Sequence, residues 1–404
     1  MDYDVIVIGA GPGGLMAASE CSRSGRTVLV LEKNEKPGKK LLASGGGQCN
    51  LTNRLPAEQF AVNYYEKAKF VRKILHGFSP DDLINRFESW GVPLEELPNG
   101  KVFPKSKKAA DVLQVLISQA TSQGAVIRTL EAVTALHHKD GVFSVKTNQN
   151  TYRSQSVVLA TGGKSYPALG SSGDGYPWAR ALGHTISPPR PALAAVHVSE
   201  FPLADLAGVT LRDARVSLWR KNRKIGEYGG DLLITHDGLS GPVILNNSRY
   251  FDSKDVLKLN LVKFNSEEDF AKGFADHLQS NGKYMIRKVV DLYDVPRRLL
   301  EKILELSGIP MDQRCSEISK TQRSALAKLL VAFPLSIHEV GPFEQAMVTA
   351  GGVVTDEVNS STMESKLVPS LFFVGEVLDV DGATGGYNLQ FAFSSAVAVA
   401  KRIG

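Results

Sequence analysis

The sequence predicts an α/β protein whose main parallel sheet is built from both ends of the chain. Residues 1–160 alternate short β-branched segments with helical patterns, which is typical of a parallel sheet covered by helices. A strand-then-helix pattern returns at residues 371–400, whereas the residues between the two ends follow a different pattern of strands and helices. With 404 residues, the chain has room for two to three domains.

The composition excludes several classes of protein. Hydrophobic residues make up 43% and charged residues 22%, as in ordinary globular proteins rather than disordered ones. The three cysteines, at 21, 49 and 315, match neither a zinc finger nor a dithiol redox pair, and no histidine spacing indicates a metal. A net charge of +5 gives no reason to expect nucleic acid as a partner, although it does not exclude one.

The start of the chain shows no targeting or membrane segment. Val5 to Ser19 is too short and too rich in glycine to cross a membrane, and Asp2 and Asp4 contradict the basic start of a signal peptide. We therefore expect a cytoplasmic protein without a membrane anchor. The sequence does not predict the oligomeric state.

The first strand–turn–helix unit contains a dinucleotide-binding motif. Val5 to Ile8 predicts a strand and Leu15 to Ser22 a helix, and the segment from Gly9 to Gly14 between them satisfies G-x-G-x-x-G. In this motif Gly9 permits the tight turn, Gly11 lets the backbone approach a pyrophosphate, and Gly14 lets helix and strand pack closely. The start of the helix offers free N–H groups to the anion.

Glu32 narrows the choice of nucleotide. It ends the second predicted strand, Thr27 to Leu31, where a carboxylate would accept both ribose hydroxyls of an adenosine. A carboxylate there disfavours a 2′-phosphate, so the motif indicates FAD or NAD rather than NADP.

Two later strands favour FAD. Residues 156–163 form an apolar segment ending in Ala160-Thr161-Gly162, and residues 371–376 form another ending in Gly375-Glu376. A carboxylate at the second corner suits the ribityl hydroxyls, which NAD lacks. The glycine run at 44–53 lets backbone lie against a flat ligand, so we expect the flavin ring there.

The remaining elements define the expected domains. Ser79-Pro80 predicts a helix start, Asn99-Gly100 a hairpin turn, and Ser106 and Gly124 the ends of another helix. After residues 188–191 the pattern changes to strands until about Lys263, and residues 266–331 read as mostly helical. We expect a first domain of residues 1–190 and 346–404, a β-barrel insert of 191–264 and 332–345, and a helical subdomain of 265–331.

Several motifs together resemble one family. Ser-Gly-Gly-Gly-x-Cys-Asn-x-Thr-Asn at 44–53, Gly-Ser-Ser-Gly-Asp-Gly-Tyr at 170–176, Thr-His-Asp-Gly-Leu-Ser-Gly-Pro at 235–242, Val-Thr-Ala-Gly-Gly-Val at 348–353 and a long run at 375–390 are similar to the BaiN-like family of FAD-binding oxidoreductases, also called the aminoacetone oxidase family. The resemblance implies a glutathione-reductase-type, Rossmann-like FAD domain formed by both chain ends, interrupted by a β-barrel and a small helical subdomain.

The resemblance also implies which residues contact FAD. The adenosine and pyrophosphate would be held by Pro12, Gly13, Glu32 and Lys33, with the Val133 backbone beside the adenine. The flavin end would be lined by Lys40, Gly46, Gly47, Cys49, Asn50, Glu376, Asn388 and Leu389, and Gly386 begins the last helix. The sequence departs from the family at Gln48, where Arg or Lys is usual, and at Ala396, where Gly is usual.

The residues that catalyse the reaction are not identified. His236 has a suitable reference pKa for a general acid, but a loop-stabilising role is the simpler interpretation. Cys49 is more simply a small buried residue than a catalytic thiol. Tyr387 lies, with Asp379 and Asp381, close to the expected flavin end, where turn and substrate-contact roles are equally open.

The main functional hypothesis is a flavoenzyme that passes hydride through flavin N5. The reductant is expected to be NAD(P)H, acting transiently, and the acceptor a small organic molecule or dioxygen. A small-amine oxidase is an alternative, as is an RNA-binding flavoprotein of the tRNA-modifying type that docks through the helical segment. A flavoprotein scaffold without turnover is a further alternative.

Overall fold

The computed structural model describes residues 1–262, 267–293 and 295–404, which form two compact units. The first unit contains residues 1–192 and 343–404, and the second contains residues 193–342. The predicted boundary at 264–265 lies outside the described residues. The boundaries proposed between the barrel and the helical subdomain therefore stay predictions.

The first unit is built on a seven-stranded sheet. Its strands are β1 (Tyr3–Ile8), β2 (Val28–Leu31), β6 (Val126–Arg128), β7 (Val133–Lys139), β8 (Val142–Thr147), β9 (Thr151–Leu159) and β18 (Leu371–Phe373). The order is β6-β2-β1-β9-β8-β7, and β18 pairs in parallel with β9. The C-terminal segment therefore completes the N-terminal sheet, as predicted.

Two smaller sheets belong to the same unit. Strands β3 (Thr52–Asn53), β4 (Leu94–Glu96) and β5 (Lys101–Pro104) form one, with the predicted turn at Asn99-Gly100 joining the last two. Strands β10 (Ile186–Ala192) and β17 (Val348–Val353) pair antiparallel in the other.

Helices cover the main sheet and bury an apolar core. They are α1 (Pro12–Arg23), α2 (Lys39–Ala43), α3 (Ala57–Ala61), α4 (Ala68–Gly77), α5 (Pro80–Ser89), α6 (Ala109–Ser122), α7 (Gly175–Ala181) and α13 (Tyr387–Ile403). The four residues of β2 and the last four of β1 are all buried, as expected of a parallel strand covered on both faces.

Helix starts follow their capping chemistry. Helix α5 begins with the capping box that Ser79 and Asp82 form, so this predicted start is confirmed. Helix α6 begins at Ala109, later than Ser106 indicated, because the Ser106 hydroxyl accepts from Lys108 N–H in the preceding turn.

The second unit contains a closed six-stranded barrel. Its strands are β11 (Val196–Val198), β12 (Thr210–Arg220), β13 (Arg223–Ile234), β14 (Gly238–Ser240), β15 (Val256–Asn260) and β16 (Phe333–Val340). They close in the order β11-β14-β13-β12-β15-β16. Alternate residues such as Val216, Leu218, Leu257 and Leu259 point inward and are buried.

The helices of the second unit lie mainly between β15 and β16 in the chain. They are α8 (Pro242–Leu245), α9 (Glu267–Ser280), α10 (Ile286–Val290), α11 (Arg297–Leu306) and α12 (Lys320–Ala332). They share one apolar cluster with the barrel. The α/β fold class with a β-barrel and a helical insert is thus confirmed. None of the helices described in either unit is long and apolar enough to cross a membrane.

Candidate functional site

The glycine turn between β1 and α1 gives each of its glycines a different constraint. Gly9 has φ +106°, a conformation that favours glycine. A Cβ on Gly14 would lie 2.0 Å from the Gly9 carbonyl oxygen, so this glycine allows helix and strand to pack. A Cβ on Gly11 would have no protein atom within 4 Å. Packing within the protein therefore does not require glycine at position 11, whereas a closely approaching ligand would.

The N-terminus of α1 is open to an anion. Gly11 is its N-cap and provides no side chain, Pro12 follows, and the first turn contains no acidic residue. Its early N–H groups lack intrahelical partners, as at every helix start. This end of the helix therefore has the chemistry of a pyrophosphate site.

Glu32 is held at the end of β2 by backbone donors. Its carboxylate accepts from Ala10 N–H at 3.0 Å and from Asn34 N–H at 2.8 Å. Its carbonyl accepts from Glu131 N–H at 2.9 Å, two residues before Val133. The Asn34 side-chain amide also donates to this carboxylate, at 2.7 Å. A carboxylate offers about four acceptor positions, so one remains for a ribose hydroxyl. The structure thus brings Glu32, the glycine turn and Val133 to one edge of the sheet.

A loop without an assigned role in the sequence analysis lies beside this edge. The Lys33 ammonium contacts Ser172 and Asp174. A Cβ on Gly170 would lie 2.4 Å from the Asn34 side chain, and one on Gly175 would lie 2.3 Å from the Thr161 hydroxyl. The motif at 170–176 therefore runs from the Lys33 side of the site to Thr161.

Glu376 is the centre of a polar network at the other end of the site. One carboxylate oxygen accepts from Lys40 Nζ at 2.8 Å, and the other accepts from Ser165 Oγ at 3.0 Å and from Thr349 N–H at 2.8 Å. A Cβ on Gly163 would come within 2.7 Å of this carboxylate. The structure thus brings together Lys40, Glu376 and the segment that follows β9.

Ser165 and Thr349 were missed as members of this network. Both are fully buried, and the Thr349 hydroxyl accepts from the backbone N–H groups of Lys164 and Ser165. Only the family motif that contains Thr349 could have drawn attention to it, because a lone threonine in an apolar strand reads as core.

The start of α13 is fixed by two asparagines. With its amide oriented to satisfy both atoms, Asn50 donates to Thr52 O at 3.0 Å and accepts from Gly386 N–H at 3.2 Å. Asn388 accepts from Gly382 N–H and donates to Gly382 O, both at 2.8 Å. Asn388 therefore clamps the preceding loop and does not cap its own helix, which begins without a side-chain cap.

Two candidate catalytic residues are buried. Burial raises the pKa of the Cys49 thiol to about 12, so the thiol is protonated at neutral pH. The backbone of Cys49 also has φ +62°, an uncommon value for a non-glycine residue. Burial also raises the pKa of Tyr387, which packs edge-on against Phe60 and Tyr64.

His236 belongs to the second unit. It is exposed in the turn between β13 and β14, next to Asp237, which pairs with His197 at 2.8 Å. Its role as an acid stays a prediction.

The residues of the first unit fit FAD. The uncapped start of α1, the open Cβ direction of Gly11 and the held carboxylate of Glu32 suit the ADP half. Gly46, around which a Cβ would meet nothing within 4 Å, together with Lys40 and Glu376 suits the ribityl and flavin half. Among the described residues, no group of three His, Cys, Asp or Glu side chains is arranged to hold a metal ion.

Comparison with known proteins decides the family. Residues 3–402 match the model of the HI0933-like protein Rossmann domain. The chain belongs to this family. It is an FAD-dependent oxidoreductase, and the resemblance found in its motifs is confirmed.

Two kinds of relative match this family member from end to end. The 3-dehydro-bile acid delta(4,6)-reductase of Clostridium scindens is 34% identical, over 96% of this chain and 96% of the relative. The ribosomal RNA dihydrouridine synthase of Escherichia coli is 31% identical, over 99% of this chain and 97% of the relative. Because the Escherichia coli relative is named for an action on RNA, the comparison does not exclude nucleic acid as a partner of this chain.

Solved structures agree on the fold. The 3-ketosteroid-delta4-(5alpha)-dehydrogenase of Rhodococcus jostii RHA1 superposes with a TM-score of 0.51 at 16% identity, covering 98% of this chain and 96% of the other. At this identity the likeness concerns the fold alone.

Proposed function

We propose that this protein reduces a carbon–carbon double bond conjugated to a carbonyl group, using FAD that NAD(P)H has reduced. The observation that carries the proposal is the chemistry shared by its two full-length relatives. The name of the Clostridium relative describes reduction of double bonds in a 3-oxo compound. Dihydrouridine is uridine whose ring double bond, conjugated to a carbonyl, has been reduced.

The compounds named for these two relatives differ in size and charge, but both contain a double bond conjugated to a carbonyl group. The carbonyl makes the far carbon of the double bond electrophilic, and negative charge moves to the carbonyl oxygen when hydride arrives. Bound FAD supplies that hydride from its N5 atom. The acceptor class fits both relatives better than dioxygen or an amine does.

The protein's contribution is to bind and orient. The N–H groups at the start of α1 would hold the pyrophosphate, and Glu32 would hold the adenosine ribose. Lys40 and Ser165 fix the orientation of the Glu376 carboxylate, which would hold the ribityl chain of bound FAD. The start of α13 has no side-chain cap, so its N–H groups would stabilise negative charge on the flavin if the ring lies against them.

The test is an anaerobic acceptor assay with the purified holoprotein. The flavin is reduced with NADH or NADPH in separate experiments and then mixed with a 3-oxo-4-ene steroid, uridine or a uridine-containing RNA. We expect the acceptor to reoxidise the flavin. When the flavin has been reduced with deuterated NADH or NADPH, we expect deuterium at the double-bond carbon that is farther from the carbonyl.

Matched compounds make the assay decisive. A steroid with an isolated double bond and the saturated 3-oxo steroid should not reoxidise the flavin. Reoxidation of the flavin by added dioxygen but by none of the conjugated acceptors, or reduction of the oxidised flavin by a small amine, would overturn the proposal in favour of an oxidase. In the same assay His236→Ala should slow turnover without loss of FAD if this histidine donates the proton.

A further inference from the structure

The longest hairpin of the barrel has a basic outer face and tip. Strands β12 and β13 span 11 and 12 residues and are joined by a two-residue turn at Lys221-Asn222, both with positive φ. Trp219 lies opposite Lys224 on the outer face, and Arg215 precedes it on the same strand and the same side. We call Arg215, Trp219, Lys221, Arg223, Lys224 and Lys258 the basic hairpin face.

Much of the positive charge on this face has no acidic partner. Lys224 pairs with Glu227, whose pKa is lowered by Lys224 and also by nearby Arg215. In the part of the chain that the structure describes, Lys221 and Arg223 form no ion pair, and both are exposed. By contrast Arg220, beside them in the chain, is bound to Asp255 and Asp252.

An aromatic ring lies among these cations. The Lys258 ammonium sits 3.6 Å from the centroid of the Trp219 ring, and the Trp219 indole N–H donates to Ser217 Oγ at 3.0 Å. The indole is thus held along the sheet surface and is only partly buried. Cations around a fixed, partly exposed aromatic ring are the combination that binds phosphates and a stacked base.

We propose that the basic hairpin face docks single-stranded RNA. The unpaired cations at the tip contact the phosphates, and the Trp219 ring with Lys258 accepts a base. This surface differs from the helical segment considered above as a docking surface, because residues 267–332 carry 11 basic and 10 acidic residues and so have almost no net charge. The proposal concerns binding and does not depend on the reaction proposed above.

The test measures RNA binding by the full-length holoprotein. The probe is a fluorescently labelled single-stranded RNA of mixed sequence, titrated by anisotropy at several salt concentrations. Each phosphate contact contributes a slope of roughly 0.7 to the fall of log K with log salt for single strands. The double variant Lys221→Ala/Arg223→Ala should therefore lose a slope of about 1.4 and bind roughly 25-fold more weakly at about 0.1 M salt.

A matched control removes the same charge elsewhere. Arg287 and Lys288 are adjacent, exposed basic residues of α10, and the variant Arg287→Ala/Lys288→Ala should bind RNA as the parent does. Both variants should keep FAD and the parent's rate of enone reduction. If the parent protein does not reduce enones, that result counts against the proposed function only, because RNA binding is measured in a separate experiment.

Three results would overturn the inference. One is absence of salt-dependent RNA binding by the parent, and another is an equal loss in the two double variants. The third is equal or tighter binding of duplex RNA or of anionic lipid vesicles, which would show that charge alone, without base stacking, explains the surface.

Discussion

Substitutions at Gly11 and Gly14 should separate ligand binding from folding. A Cβ at Gly11 meets no protein atom within 4 Å, and its φ of −76° is open to any residue. Gly11→Ala should therefore leave the apoprotein as stable or add about 0.4–1 kcal/mol, because alanine restricts the unfolded chain. The new methyl group should keep the pyrophosphate away from backbone N–H groups. Loss of one charge-assisted hydrogen bond, about 1.5–3 kcal/mol, weakens FAD roughly 10- to 150-fold.

Gly14→Ala is the matched control in the same turn. Its Cβ would lie 2.0 Å from Gly9 O, so helix and strand must separate at a cost of about 1–3 kcal/mol or more. The assay combines thermal unfolding of both apoproteins with titration of FAD. Gly11→Val, with a larger side chain, should purify colourless. A Gly11→Val protein that keeps stoichiometric FAD, or a destabilised Gly11→Ala apoprotein, would refute the reasoning.

Three further outcomes are expected. Asn388→Pro removes an N–H group at the start of α13 and the side-chain hydrogen bonds to Gly382. It should lower the flavin's two-electron potential by tens of millivolts, since ~30 mV corresponds to about 1.4 kcal/mol. An unchanged potential in a variant that keeps its FAD would place this helix start away from the flavin. Cys49→Ala should keep FAD and the rate of flavin reduction, since burial keeps the thiol protonated; complete loss of reduction in a yellow protein would contradict this. Burial lowers the pKa of His184 from its ordinary 6.5, so the unfolded chain takes up a proton first and stability should fall as pH drops below about 6.5. His184→Gln should flatten that part of a plot of Tm against pH, and an unaltered plot would assign the loss to other groups.

Local patterns in the sequence were sufficient for much of the fold. The buried strand from Val5 to Ile8, the glycine turn and Glu32 are adjacent in sequence, so their spacing alone predicts a dinucleotide site. The hairpin at Asn99-Gly100 and the capped start of α5 follow from turn and capping chemistry, which acts within a few residues. The start of α6 was misplaced because the Ser106 hydroxyl stabilised a turn instead of a helix.

Contacts between distant parts of the chain required the tertiary structure. Glu376 meets Lys40, Ser165 and Thr349 across separations of 27 to 336 residues, and no local pattern reveals which donors a carboxylate will find. The same applies to Asn388, which the sequence placed at a helix start but whose side chain holds Gly382.

The sequence by itself determined the nucleotide-binding motif, the parallel sheet completed by the C-terminal segment, and the family, because these depend on periodicity and on glycine and carboxylate spacing. Only the tertiary structure decided that Gly11 is free of packing constraints while Gly14 is not, and that Lys258 of β15 lies over the Trp219 ring of β12. The physical reason is that steric contact, burial and ion pairing depend on distances between residues far apart in sequence, which folding fixes and composition does not.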